Sequence, residues 1–206
     1  MSDWFTVIGK KQRNNGFTLV ETLVAIGVIA ILGIILSQVF YTSLRGGNKA
    51  QLIALIKQNG GSALSSMDFT IRNSDQVVST CALGTMVVTG GVYTRYRICP
   101  EGSINCPTGN GKILVDHPTL TPQDTSTQTQ LTYLCDTGIQ TSPSSLTDDN
   151  INSGVSVQSG SFQRSQLPGY KDSVVISFVI KPGVSAPASI AAQVSPVTFT
   201  TTVNLR

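Results

Sequence analysis

The stretch "NNGFTLVETLVAIGVIAILG", residues 14–33, decides how the rest of the chain is read. An apolar run begins at Phe17, yet a carboxylate, Glu21, stands about one helical turn inside it. A charge at that depth in lipid is unfavourable by roughly 2.5 to 3.5 kcal/mol on insertion scales, so it needs a partner or a job. From Phe17 to Phe40 only Thr, Ser, Gln, Gly and Glu21 interrupt the apolar side chains. That is long enough for a helix to cross a bilayer. The preceding residues 1–16 set Lys10, Lys11 and Arg13 against Asp3, which by the positive-inside rule holds this end in the cytoplasm. The run is too long for the core of an ordinary secretory signal, and its "ILGIILSQV" end lacks a small-residue cleavage site.

Outward from this segment, 206 residues leave room for one soluble domain. Charged residues are only 12% of the chain, while Gly, Ser, Thr, Asn and Gln abound, a composition suited to an extracytoplasmic β-rich domain. Beyond the leader the charge is nearly balanced, so no basic field argues for nucleic acid. Cys81, Cys99, Cys106 and Cys135 all follow the apolar run. In an oxidising compartment their even number predicts two disulfides, with Cys99 to Cys106 the most local of the possible pairings. No pair has the close spacing of a zinc site, and the only histidine, His117, sits in the turn-like "DHPT", so no metal or other cofactor is expected.

Downstream of the apolar run, Leu52, Ile53, Ile56, Ala63, Leu64, Met67 and Ile71 recur at three- and four-residue spacing. This is an amphipathic helix. No proline precedes Pro100, so one helix from Phe17 to about Arg72 is expected, on the order of 80 Å long at ~1.5 Å per residue. Gly46-Gly47 and Gly60-Gly61 are its soft spots. After residue 75 the period changes, and "TMVVT", "GVYTRYRIC", "KILVD", "QLTYLC", "DSVVISFVI" and "VTFTTTVNLR" read as antiparallel strands. The Gly-Gly in "VTGGVY" supplies a tight hairpin turn. "HPTLTPQDTSTQTQ" and "TSPSSLTDDNINSG" read as polar loops. The layout is α+β, with the amphipathic half of the helix covering one sheet face.

Motifs of catalysis or ligand binding are weak. "GNGK" at 109–112 lacks the glycine and hydroxyl residue of a phosphate loop. Asp148, Asn150 and Asn152 have calcium-loop spacing, but Ser153 and Ser159 replace the required Gly and Glu. On "VYTRYRIC", Tyr93, Arg95 and Arg97 share one strand face, which could stack single-stranded nucleic acid. A solvated strand face is the expectation there. No residue pattern suggests an enzyme.

The pattern Gly16, Phe17, Thr18, Leu19, Glu21 before an unbroken apolar helix, "GFTLVE", resembles the class III signal of type IV pilins and type II secretion pseudopilins. The resemblance implies a pilin-like fold and cleavage by a prepilin peptidase between Gly16 and Phe17, with N-methylation of Phe17. It implies that Glu21 answers the terminal amine of a neighbouring subunit and so sets register. Gly27, Ala30, Gly33 and Ser37 then let helices pack closely.

Partners implied are other pilin or pseudopilin subunits, the inner-membrane assembly platform and the lipid bilayer. Gln38 stands where many major pilins have proline, and the stretch "IALIKQNGGSALSSMDFTIRNS" with the closing "FTTTVNLR" is similar to larger minor subunits of the J-type pseudopilin or W-type minor pilin kind. The domain reading is a leader over 1–16, a membrane and filament-core helix over 17–40, its amphipathic continuation over 41–73 and a periplasmic or extracellular β domain over 74–206. The function so implied is a minor structural subunit of a pilus or pseudopilus. The alternative is a tip adhesin or DNA-uptake subunit.

Overall fold

The computed structural model describes residues 16–103, 109–121, 124, 126–136, 142–166 and 168–206. Helix α1 runs Leu19–Arg72 without a break, through Gly46-Gly47 and Gly60-Gly61 alike. The chain separates into two compact units, divided between Leu44 and Arg45. In the first, α1 starts on Thr18, whose Oγ1 accepts from the Glu21 amide at 3.3 Å, while the Thr22 amide donates to the Thr18 carbonyl at 3.2 Å. Thr18-Leu19-Val20-Glu21 therefore has the sequence of a capping box, which satisfies an amide donor that the helix itself cannot. Farther on, the Ser37 hydroxyl donates to the Gly33 carbonyl (2.8 Å) and that of Thr42 to the Gln38 carbonyl (3.0 Å). These polar groups are thus paired within the helix, as an apolar surrounding requires.

In the second unit α1 buries Ile56, Gly60, Ala63, Met67 and Ile71, a single stripe at helical spacing. It ends as the Ser74 hydroxyl donates to the Ile71 carbonyl at 2.7 Å. Two antiparallel sheets pack in a common core with this stripe. The first contains β1 (Gln76–Cys81), β2 (Gly84–Thr89), β3 (Val92–Cys99), β4 (Lys112–Asp116) and β5 (Ser144–Ser145), in that spatial order. Its β2–β3 turn has Gly90 and Gly91 at φ 55° and 82°, the paired positive values that the Gly-Gly dipeptide predicts. The second sheet contains β6 (Val155–Ser165), β7 (Ser173–Pro182) and β8 (Val197–Asn204), also in spatial order.

Phe199 of β8 stacks on Phe178 of β7, ring centroids 5.3 Å apart. The same Phe199 ring lies on the bare backbone of Gly60, where an added Cβ would stand 2.2 Å from its Cζ. Gly60, expected as a soft spot, is a point of close approach between the second sheet and the helix.

The structure departs from the sequence reading in several elements. "QLTYLC" is not a strand: α2 (Gln128–Asp136) occupies it, started by Thr127, whose Oγ1 and carbonyl accept from the amides of Gln130 and Leu131. Leu131, Leu134 and Cys135 are buried while Tyr133 is 64% exposed, which fits spacing three and four and not alternation. Strand β6, the longest at 11 residues, follows the polar tract and was not anticipated. Only Val155, Val157 and Phe162 mark its core side, and a register shift between Val157 and Ser159 breaks their alternation. A short helix, α3 (Ala188–Ala191), joins β7 to β8.

Gly60→Ala should destabilise the protein by about 1 to 3 kcal/mol, because the stacked Phe199 ring cannot swing aside freely. Gly61→Ala, with nothing within 4 Å of its added Cβ, should be neutral or stabilising by up to about 1 kcal/mol. Thermal unfolding of the two variants checks the contrast.

Candidate assembly helix and the clamp under α2

The first compact unit presents its apolar side chains outward. Phe17 and Leu19 are each 79% exposed, and Val20, Leu23, Ile26, Ile29 and Ile34 are also exposed. By length and composition α1 can cross a membrane, and none of its most apolar window is buried. Gly27 and Gly33 have nothing within 4 Å of an added Cβ, so this chain's own packing does not require either to be glycine. A shallow groove runs along the helix between Ala30, Gly33, Ile34, Ser37, Gln38 and Tyr41. A neighbouring helix can approach closely along such a face.

Glu21 is exposed in the first turn, at the third helical position of the capping box. An acid there is favoured by the positive end of the helix dipole. The spacing Thr18 to Glu21 was the signal for this second role, and it is readable directly from "TLVE".

In the second unit, β3 carries polar side chains into an interior. Arg95 is 1% exposed: its Nε donates to Asp116 Oδ1 at 2.9 Å, Nη2 meets Asp116 Oδ2, and Nη1 donates to the Leu134 carbonyl in the last turn of α2. Arg97 is buried as well. The nucleic-acid face and the solvated face expected for Tyr93, Arg95 and Arg97 are both overturned, because α2 covers this side of the sheet. On the opposite side Tyr96 is buried toward α1, where desolvation pushes its phenol up, partly offset by hydrogen bonds with Thr70 and Ser66.

A disulfide between Cys81 and Cys135 ties the end of β1 to α2, closing 54 residues of sequence separation, about 4 kcal/mol in the chain-entropy account. Cys99 is also disulfide-bonded, and Cys106 lies outside the described residues.

The remaining candidates resolve into loop architecture. Asp148 Oδ1 accepts from the Asn150 amide, and Asn150 Oδ1 from those of Asn152 and Ser153. These oxygens shape the loop, and the Asp148 amide in turn donates to Asn59 Oδ1 of α1 at 2.8 Å. Asn110 of "GNGK" is buried, donating to the Asn150 carbonyl and accepting from the Val184 amide. His117 is exposed, its Nδ1 3.2 Å from the Thr94 hydroxyl. Among the described residues no three His, Cys, Asp or Glu side chains are grouped to hold a metal ion.

Glu101 accepts from the Ser156 hydroxyl at 2.6 Å and pairs with Lys181 at 3.0 Å. Burial pushes its carboxyl up, but these two partners outweigh that and hold it below the usual carboxylate range.

Residues 11–37 match the family model described as the prokaryotic N-terminal methylation motif. No curated protein and no solved structure matches the chain.

That match ends well before β3, so the clamp stands on its own geometry. Arg95→Ala should cost about 3 to 5 kcal/mol by leaving Asp116 buried and uncompensated. The double variant Arg95→Met with Asp116→Leu should cost less, and denaturant titration measures both. A carboxyl with a depressed folded value stabilises above its unfolded pKa and loses that contribution as pH falls through the folded value. Stability therefore should drop as acid protonates Glu101, and Lys181→Gln should shrink that drop in a pH series of unfolding curves.

Proposed function

We propose that this chain, which carries the class III signal of type IV pilins and pseudopilins, is a minor structural subunit of a pilus or secretion pseudopilus. The motif implies processing by a prepilin peptidase and assembly with other pilins, and with the apolar helix it is consistent with a membrane-anchored protein. It points to a structural subunit and not to an enzyme. The observation that carries the reading is the juxtaposition within residues 16–37 of a cleavable glycine, a carboxylate and a wholly exposed apolar helix with two open glycines.

In this reading the peptidase cuts between Gly16 and Phe17. Phe17 becomes a terminal amine that keeps its positive charge on N-methylation. Glu21, four residues on, lies about one turn along α1. A subunit's Glu21 answers the Phe17 amine of its neighbour, so that neither charge is left alone in an apolar filament core. Such a pair need not add net stability, since desolvation offsets much of its attraction. Its effect is on register, because sliding one helix past another separates the pair in a medium that cannot solvate either charge.

Gly27, Ala30, Gly33 and Ser37 form the close-contact face, and a contact repeated head to tail without closing generates a helical filament. The leader over 1–16 stays cytoplasmic until removed, 17–40 is the membrane and core segment, 41–73 its continuation and 74–206 the exported domain. The inner-membrane platform is the partner that lifts the subunit out of the bilayer. Nothing in the geometry favours the DNA-binding alternative, since Arg95 and Arg97 are covered.

Terminal sequencing of the mature protein should find N-methyl-phenylalanine from Phe17, and an intact Met1 would sink the proposal. Glu21→Ala should be inserted and processed normally but enter filaments at least tenfold less than the unchanged chain, measured by quantifying it in sheared filaments. Incorporation at the unchanged level would refute the register argument.

A further inference from the structure

The second sheet ends in an open edge. Strand β8 pairs with β7 along its full length, from Ile180 with Val197 to Ser173 with Asn204, without a register shift. Among the described residues its backbone bonds only to β7, so its outer amides and carbonyls have no partner. Unpaired edges are commonly broken by a bulge, a proline, a charge or shortness. The chain uses such devices elsewhere: β1 and β6 carry register shifts, and β5 has two residues. Residues 197–204, "VTFTTTVN", contain no proline and no charge. This edge is regular, uncharged and eight residues long.

The same strand is nearly palindromic about Thr200. Val197 mirrors Val203, Thr198 mirrors Thr202, and only Phe199 against Thr201 departs from the symmetry. Thr198, Thr200 and Thr202 lie on the exposed face, with Phe199, Thr201 and Val203 on the core side. An antiparallel pairing of β8 with itself would set Val opposite Val and Thr opposite Thr on either side of the Phe199–Thr201 pairs, with no repelling charge. Cross-strand Thr pairs are favourable, and an isologous contact needs a self-complementary surface. A strand supplied by an unrelated partner would make no use of that symmetry.

We propose that β8 pairs antiparallel with β8 of a second copy of this chain, across a two-fold axis at Thr200, joining two three-stranded sheets into one of six strands. The pairing satisfies the open backbone groups of both copies at once. It is a closed contact, distinct from the open head-to-tail contact of a filament. It describes a form of the subunit outside the filament lattice.

The test uses the full chain in membranes under mild oxidation. Thr200→Cys places two thiols opposite one another across the axis and should give a covalent homodimer. In Thr198→Cys the two thiols lie four residues apart along the strand, roughly 13 Å, beyond disulfide reach, and the yield should be at least tenfold lower. The double variant Thr198→Cys with Thr202→Cys should cross-link again.

Thr200→Lys, at an exposed position, should abolish the dimer seen by chemical cross-linking while lowering thermal unfolding no more than Ser177→Ala, which removes the same 3.1 Å hydroxyl contact but leaves the dimer. Equal yields from Thr200→Cys and Thr198→Cys, linkage of Thr200→Cys to a different protein, no linkage in any variant, or a dimer that survives Thr200→Lys would each overturn the proposal. Such a failure would leave the assembly reading intact, because that rests on residues 16–37.

Discussion

The fold depends on one close contact, the Phe199 ring against the backbone of Gly60. The α1 stripe from Ile56 to Ile71 is apolar, but a stripe of uniformly large side chains would hold both sheets at arm's length. At Gly60 the missing side chain gives the ring a place, and Phe178 stacks behind it. The helix, β7 and β8 thereby share one core with Val87, Tyr96, Ile98 and Ile113 of the first sheet. Glycine is a poor helix former, and its cost of about 1 kcal/mol relative to Ala is offset by packing that no other residue would permit.

The first sheet is sandwiched, with α1 on one face and α2 on the other. That arrangement changes the meaning of its polar residues. Arg95 and Asp116 sit opposite one another on β3 and β4, and each would be costly alone in that interior. Together, with the Leu134 carbonyl taking another guanidinium donor, they let a charged pair hold a helix end in place. The Cys81–Cys135 disulfide fixes the same helix covalently, so α2 is attached by two chemically independent means.

What the sequence made legible was whatever depends on local pattern. The long helix follows from the absence of proline and from three- and four-residue spacing through Ile71. The Gly90-Gly91 turn follows from the φ values that only glycine adopts readily, and β7 from its run of β-branched residues. What was hidden depends on partners distant in the chain. Strand alternation of Arg95 and Arg97 looks the same whether water or a helix covers them, and only α2 decides. The "QLTYLC" segment has apolar residues that satisfy either period, and the exposed Tyr133 breaks the tie. Strand β6 is polar because much of it faces away from the core, and its bulge erases the period that would have revealed it. In the candidate site, Glu21 was legible as an acid in need of a partner, and the capping-box spacing from Thr18 stood in the same four residues, with the amide contact showing its use.

Gly60 and Phe199 are 139 residues apart in the sequence, and this sets an order of events during synthesis. A ribosome delivers the helix well before β8, so the groove at Gly60 stays empty until Phe199 has been made. Contacts that close so large a loop form slowly. During that interval the first sheet and the β6–β7 pair are available to cover the rest of the Ile56–Ile71 stripe. A ribosome that stalls before Phe199 therefore leaves a chain whose helix is formed but whose groove at Gly60 is unfilled.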